Sequence, residues 1–289
     1  FTSYDYTYYL EADVKGQSTD LTMHQQSAGC LVPFSIDENS ELFFYAKFDQ
    51  IKWDTDAVFT GTNVSLPNDV YDLNLFTGYK QVLDNGWLVG GVAQFGSASD
   101  KLFHSADEFI YGGRVFVKVP SNDTDYWVFL LDYSSNRSFL QYVPLPGVGY
   151  MYNPNEKIKV FAGVPFAFIE YKPTEKIKLE VSYLPVSTVN AKASYKVDEN
   201  WTLFADYAWQ EQKFYRSGRE EKKDQMFYSE QKVGSGVSYS PNRGTTLMIK
   251  SGYSFDRYLY ESKKYDRNHD SKIKVDGAYF IEAKASIAF

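Results

Sequence analysis

The sequence predicts an all-β fold, a single transmembrane antiparallel up-and-down β-barrel spanning 1–289, and three observations carry that expectation. Aromatic residues make up 18% of the chain, with 25 Tyr against 10 Pro and 1 Cys. A tyrosine ring is apolar and its hydroxyl polar, so it suits a surface where hydrocarbon meets water. No window approaches the roughly 20 apolar residues that a membrane helix requires. The mean hydropathy reads as soluble, as it does in a barrel, whose polar lumen residues cancel the lipid-facing ones in any average. The third observation is alternation, repeated along nearly the whole chain.

A strand places successive side chains on opposite faces. In the first predicted strand Tyr4, Tyr6, Tyr8, Leu10, Ala12 and Val14 oppose Asp5, Thr7, Glu11 and Asp13. Leu42, Phe44, Ala46 and Phe48 likewise oppose Tyr45, Lys47 and Asp49. Later, Ile177, Leu179, Val181 and Tyr183 oppose Lys178, Glu180 and Ser182, and Trp201, Leu203, Ala205, Tyr207 and Trp209 oppose Thr202, Asp206 and Gln210. The last strand is the clearest: Ile273, Val275, Gly277, Tyr279, Ile281, Ala283, Ala285, Ile287 and Phe289 form one row against Lys274, Asp276, Glu282, Lys284 and Ser286. Each such segment is expected to lie between an apolar medium and a wet one.

Taken in order, the alternation predicts sixteen strands at approximately 3–14, 19–36, 40–53, 70–83, 86–97, 110–120, 125–136, 138–152, 157–164, 166–172, 176–184, 187–197, 200–214, 226–239, 245–260 and 272–289. Short turns rich in Asp, Asn, Pro and Gly, such as Asp84-Asn85-Gly86 and Asp198-Glu199-Asn200, mark one end. Longer links near 54–69, 98–109, 215–225 and 261–271 mark the other end, expected outside the cell because such barrels keep their short turns in the periplasm. Pro144, Pro146, Pro165 and Pro185 interrupt the pattern between 138 and 187. Proline cannot donate to a ladder, so totals of fourteen or twelve remain as alternatives.

The chain resembles the Gram-negative outer-membrane β-barrel superfamily, porin-like in character, over all the predicted strands. The ending Ala285-Ser286-Ile287-Ala288-Phe289 is similar to the terminal-aromatic signal read by the barrel-insertion machinery, with Phe289 as its aromatic. The tract Leu145-Pro146-Gly147-Val148-Gly149-Tyr150, with Asn153-Pro154-Asn155-Glu156-Lys157 and Gly163-Val164-Pro165-Phe166, is similar to one in a group of uncharacterised outer-membrane barrels. The resemblance implies a bacterial outer-membrane location with lipids and that machinery as partners. The start at Phe1-Thr2-Ser3, without a basic and apolar leader, is what removal of an export signal would leave. In contrast to general porins, no long link plainly matches their constricting loop.

Catalytic arrangements are sparse. The 3 histidines are His24, His104 and His269, and His24 with Ser27, the one His-Ser pair on a strand, has a spacing that sends the two to opposite faces. Asp54/Asp56 and Asp123/Asp125 read as solvated links and turns, and the stretch 266–270 lacks the Gly and terminal Glu of a calcium loop. No catalytic residue, metal or cofactor is expected. The net charge of −7, from 37 acidic and 30 basic residues, disfavours a nucleic-acid partner.

The expected site is the lumen wall. Its charged row holds Lys47, Asp49, Asp72, Lys80, Arg114, Lys118, Asp132, Glu180, Lys192, Asp206, Lys250, Asp256, Lys274, Asp276, Glu282 and Lys284. Charges on such a wall require water or opposite charge beside them. Sixteen strands enclose more than side chains fill, since barrels of about eight are already packed. The expected function is therefore passive diffusion of small hydrophilic solutes, with the oligomeric state left open. Two alternatives stand beside it: a structural or partner-binding barrel whose charges cross-pair and block the lumen, and a transporter of hydrophobic solutes with a sideways exit near 157–172. A lipid-active enzyme is the reading with least support.

Overall fold

A computed structural model describes residues 1–138, 140–185, 188–266 and 268–288. Its strands, in chain order, are β1 (Thr2–Asp13), β2 (Asp20–Ser35), β3 (Ser40–Asp54), β4 (Asp69–Val82), β5 (Leu88–Ser99), β6 (Phe109–Pro120), β7 (Tyr126–Ser134), β8 (Leu145–Asn155) and β9 (Ile158–Val164). They continue with β10 (Ala167–Tyr171), β11 (Ile177–Leu184), β12 (Thr188–Lys196), β13 (Trp201–Phe214), β14 (Gln225–Asn242), β15 (Thr245–Ser262), β16 (Ile273–Val275) and β17 (Ala278–Ile287). Each pairs antiparallel with its neighbour, and β17 returns to β1 from Thr2↔Ile287 to Tyr9↔Phe280. The result is a closed sixteen-strand wall with one extra short strand. That extra strand is β16, which pairs with β15 at Arg257↔Val275 in the register that β17 holds from Thr245↔Ile287. Closure leaves no unpaired edge, a condition that a strand-built membrane protein must meet.

The outward rows are apolar as expected: Phe44, Leu75, Phe129, Val181, Leu203, Ile249 and Ile281 are all exposed on the outside of the wall. Aromatic residues close these rows near the strand ends, among them Trp127, Tyr152, Tyr171, Tyr183, Tyr195 and Trp201. That distribution is the band and girdle of a barrel dissolved in lipid.

The wall is uneven in height. Strands β9, β10 and β11 have 7, 5 and 8 residues, whereas β14 and β15 have 18 each. At about 3.3 Å per residue, the shortest strands fall short of the roughly 25 Å apolar band, and the tall side stands well above it. The prolines account for the low side, because Pro165 and Pro185 sit in the two connections that form its rim.

Above the membrane the tall side folds over the mouth. Tyr9, Leu21, Met23, Ile51, Trp53, Val70, Leu259 and Phe280 are buried there together with Ala57, Phe59 and Leu66 of the link 54–69. Full burial of one such side chain contributes about 1.5–3 kcal/mol. This packing corrects three expectations. Ala12, Val14, Ile273 and Val275 belong to the buried cluster rather than to the lipid-facing rows. Their rows are inverted where β1 loses register between Tyr9 and Ala12, and where β15 bulges at Asp256 with φ 50° opposite the Asp276-Gly277 break. An extra residue in one strand swaps the inside and outside of everything beyond it. The link 54–69, expected to be solvated, packs inward, with the Gln17 side chain donating to the Val58 carbonyl (2.8 Å) and accepting from its N–H (2.9 Å).

Candidate functional site

The outer seal is made by strands from opposite sides of the wall. β5 and β13 lie eight positions apart in either direction around the barrel, yet Ser99 and Tyr215 form a parallel bridge. The Tyr215 N–H donates to the Ala98 carbonyl at 2.7 Å, and Ser217 donates its N–H and hydroxyl to the two oxygens of Asp100 at 2.7 and 2.9 Å. Arg219 Nη1 meets Glu108 Oε1 at 3.1 Å with both side chains buried. The outer end of β13 therefore crosses the mouth as a partition. One face, carrying Phe214, joins the apolar cluster.

Against the same stretch of β13 lies a chamber of about 670 Å³, whose lining includes Lys47, Asp49, Asp72, Arg114, Asp132 and Arg137 from β3 to the link after β7, and positions 210–214 of β13. Leu145, Pro165, Leu184, Pro185 and Thr188 of the low rim also belong to the lining. The chamber thus reaches the rim beside the barrel axis and below the seal. Its ions are paired in short steps. Lys47 binds Asp49 at 2.6 Å, while Asp132 receives both Arg114 at 2.9 Å and Arg137 at 2.6 Å. Asp72 accepts a short hydrogen bond from the Asn74 amide.

Below the chamber, toward the periplasm, the lumen charges of β3, β4 and β9–β11 lie in water: Lys80 pairs with Glu41, Glu170 with Lys172 and Glu180 with Lys178, each ammonium about 40% exposed. Lys118 lies 3.7 Å from the centre of the Tyr126 ring and Lys192 lies 4.3 Å from that of Phe204. The charges of the opposite half are packed away. Lys250 bridges Asp206 at 3.3 Å and Glu282 at 2.8 Å with only 8% of its side chain exposed. Glu230 is fully buried and accepts from Tyr9 (2.9 Å), Gln210 (2.9 Å) and Ser254 (2.9 Å), with Lys232 at 3.4 Å.

Three members of the expected lumen row are elsewhere. Lys274 is exposed, Asp276 pairs with the exposed Lys15 at 2.8 Å, and Asp256 accepts from Gln231 at 2.8 Å at the surface. They lie beyond the bulges, where the alternation is inverted. Lys284 keeps its lumen register opposite Asp5. Phe289 lies outside the described residues. The sequence reading missed Arg137, Glu211 and Lys213. A signal for two of them was present: the outward row Trp201, Leu203, Ala205, Tyr207, Trp209 ends in Glu211 and Lys213, charges that no lipid-facing strand would carry.

His24 Nδ1 bonds the Tyr6 hydroxyl at 2.6 Å on the outer face, and Ser27 is opposite Asp5 on the inner one. His269 stacks on Tyr260 with ring centres 5.0 Å apart, and His104 is exposed. Asp125 is a turn anchor, accepting from the Asn153 N–H at 2.7 Å, the Asn122 amide at 3.0 Å and the Tyr150 hydroxyl at 3.1 Å. Among the described residues no cluster of three His, Cys, Asp or Glu side chains is arranged to hold a metal ion.

A closed wall with an apolar outer band, aromatic girdles and a charged interior defines the class: the chain is a sixteen-strand β-barrel with the outer surface of one that spans a membrane. No family model matches the sequence, and no curated protein matches it. The chain is similar to solved structures that include a Pseudomonas aeruginosa FadL homologue (11% identity, covering 99% of this chain and 89% of that one, TM-score 0.38). Others are the transport unit of the autotransporter AIDA-I from Escherichia coli (10% identity, 100% and 89%, TM-score 0.36) and LpxR from Salmonella typhimurium (8% identity, 99% and 100%, TM-score 0.34).

Proposed function

We propose that the barrel is a passage for small hydrophilic solutes whose outer mouth lies at the low rim instead of on the barrel axis. The observation that carries this reading is the charged chamber beneath the seal, bounded on one side by Pro165, Leu184 and Pro185. A solute entering there meets paired charges of both signs, then the water-exposed ion pairs of β9–β11 on its way to the periplasm. Such a wall solvates a polar molecule without holding it, as conduction requires. The balance of charge predicts weak selectivity between cations and anions. The process involves no chemical step.

A second reading is favoured by the rim itself. Val164, Phe166 and Leu184 are exposed apolar residues at the top of the shortest strands, so an amphiphile in the outer leaflet meets an apolar threshold before the polar chamber.

Liposome swelling with small sugars and amino acids tests the first reading. Swelling is expected with the wild-type chain, slowed by Leu184→Trp at the rim and unchanged by Thr60→Trp on the axial cap. Absence of swelling, or slowing by Thr60→Trp alone, would overturn it.

A further inference from the structure

The chamber ions differ in one respect. Asp132 occupies Arg114 and Arg137, and Asp49 occupies Lys47. Lys213 is nine-tenths buried, lines the chamber, and its Nζ has no hydrogen bond and no ion pair within 4 Å among the described residues, the Glu211 carboxyl two residues away acting on it only through space. An ammonium withdrawn from water without a partner costs several kcal/mol. It is stable in that position when something else in the chamber accepts its protons. The chamber volume of about 670 Å³ admits a small solute or a headgroup.

We propose that Lys213 is the binding group for one phosphate or carboxylate oxygen brought into the chamber, whose lining also includes Arg114. This inference deepens the proposed passage by naming the chemical class of its occupant. The anionic group has two sources consistent with a chamber at the rim: a free solute arriving from outside, or the headgroup of an outer-leaflet phospholipid reaching over Pro165 and Leu184.

The test uses the full chain in two arms. In the first, inorganic phosphate replaces chloride at constant ionic strength during single-channel recording. Conductance is read relative to the bulk conductivity of each solution, and if the anion is free, phosphate lowers that wild-type value. Lys213→Gln then weakens its apparent affinity by about tenfold, the weight of one charge-assisted hydrogen bond, while Lys213→Arg retains the effect. In the second arm, protein is extracted from vesicles of phosphatidylethanolamine and phosphatidylglycerol, and retained phospholipid is counted by native mass spectrometry. If the anion is a headgroup, the wild-type and Lys213→Arg chains keep lipid that Lys213→Gln releases. The heat-modifiable mobility of a folded barrel checks each variant, and phosphate titration of the wild-type chain stands independently of any substitution. If phosphate leaves wild-type conductance unchanged and lipid retention is the same in all three chains, the inference is overturned. A wild-type chain that gives no conductance but retains lipid through Lys213 would instead overturn the passage and leave the anion site standing.

Discussion

Two halves of one wall carry the same lumen charges and treat them in opposite ways. On the low side, β9–β11, the Lys and Glu side chains meet in water, and each ammonium keeps about 40% of its surface exposed. On the tall side, from β13 through β15 and β17 to β2, Glu230, Lys232, Lys250 and Glu282 are nearly or fully buried. Strand height is the cause. Long strands rise above the membrane, bend over the mouth and bury an apolar cluster that shuts water out of the charges beneath it. Short, proline-bounded strands have nothing to bend, so their lumen remains wet. The seal and the chamber are thus consequences of a single asymmetry.

The largest expected effect lies on the dry side. Glu230→Ala leaves Lys232 buried without its carboxylate and Tyr9, Gln210 and Ser254 without their acceptor, and a loss of about 3–5 kcal/mol is expected for breaking such a network. Urea unfolding of the barrel in lipid vesicles measures it. A loss below that of an ordinary surface pair would remove the distinction between the halves.

Next comes the seal. Glu108→Ala strips the buried Arg219 of its carboxylate across the mouth. Faster proteolysis within 215–225 and a raised single-channel conductance are expected as the opposed links separate. Unchanged proteolysis and unchanged conductance would mean that this pair does not hold the mouth shut.

A smaller effect belongs to the periplasmic turn before β7. The Asn153 N–H, and then the Asn122 amide, hold the Asp125 carboxyl below its ordinary range. A depressed carboxyl pKa stabilises the fold fully above the unfolded value of about 3.9 and loses that contribution as the pH falls through the folded value. Asp125→Asn should therefore narrow the stability gap between neutral and acidic pH in an unfolding series. A gap equal to that of the wild type would contradict the anchor role.

The smallest effect is expected on the wet side. Lys178→Ala removes an exposed pair with Glu180, worth about 0–1 kcal/mol. In the same urea experiment it serves as the contrast to Glu230→Ala.

The wall itself was legible because lipid and water impose a period of two on every strand, and the predicted strand order and closure match the observed ones. The inversions were harder to read. Leu10-Glu11 and Asp256 carry no sequence mark of a bulge, and Ile273 and Val275 continue an apolar row that satisfies a buried cluster as well as it satisfies lipid. Gly277 in the last strand was a weak sign of the break beside it. Glu211 and Lys213 were legible in principle, since the outward row changes from Trp209 to charge where β13 leaves the membrane. Their convergence with Arg137 depends on β13 crossing the whole mouth to reach β5, a contact between segments more than a hundred residues apart that alternation cannot encode.

The most direct measurement of the account is thiol block of single-channel current in a Cys30→Ser background. A cysteine in place of Thr188, at the rim of the chamber, is compared with one in place of Thr60, on the cap over the axis. A charged methanethiosulfonate reagent added from the outer side is expected to block current through the Thr188→Cys channel and to leave the Thr60→Cys channel unaffected. Block at Thr60→Cys with none at Thr188→Cys would put the mouth on the axis and contradict the division of the wall into a sealed half and an open one.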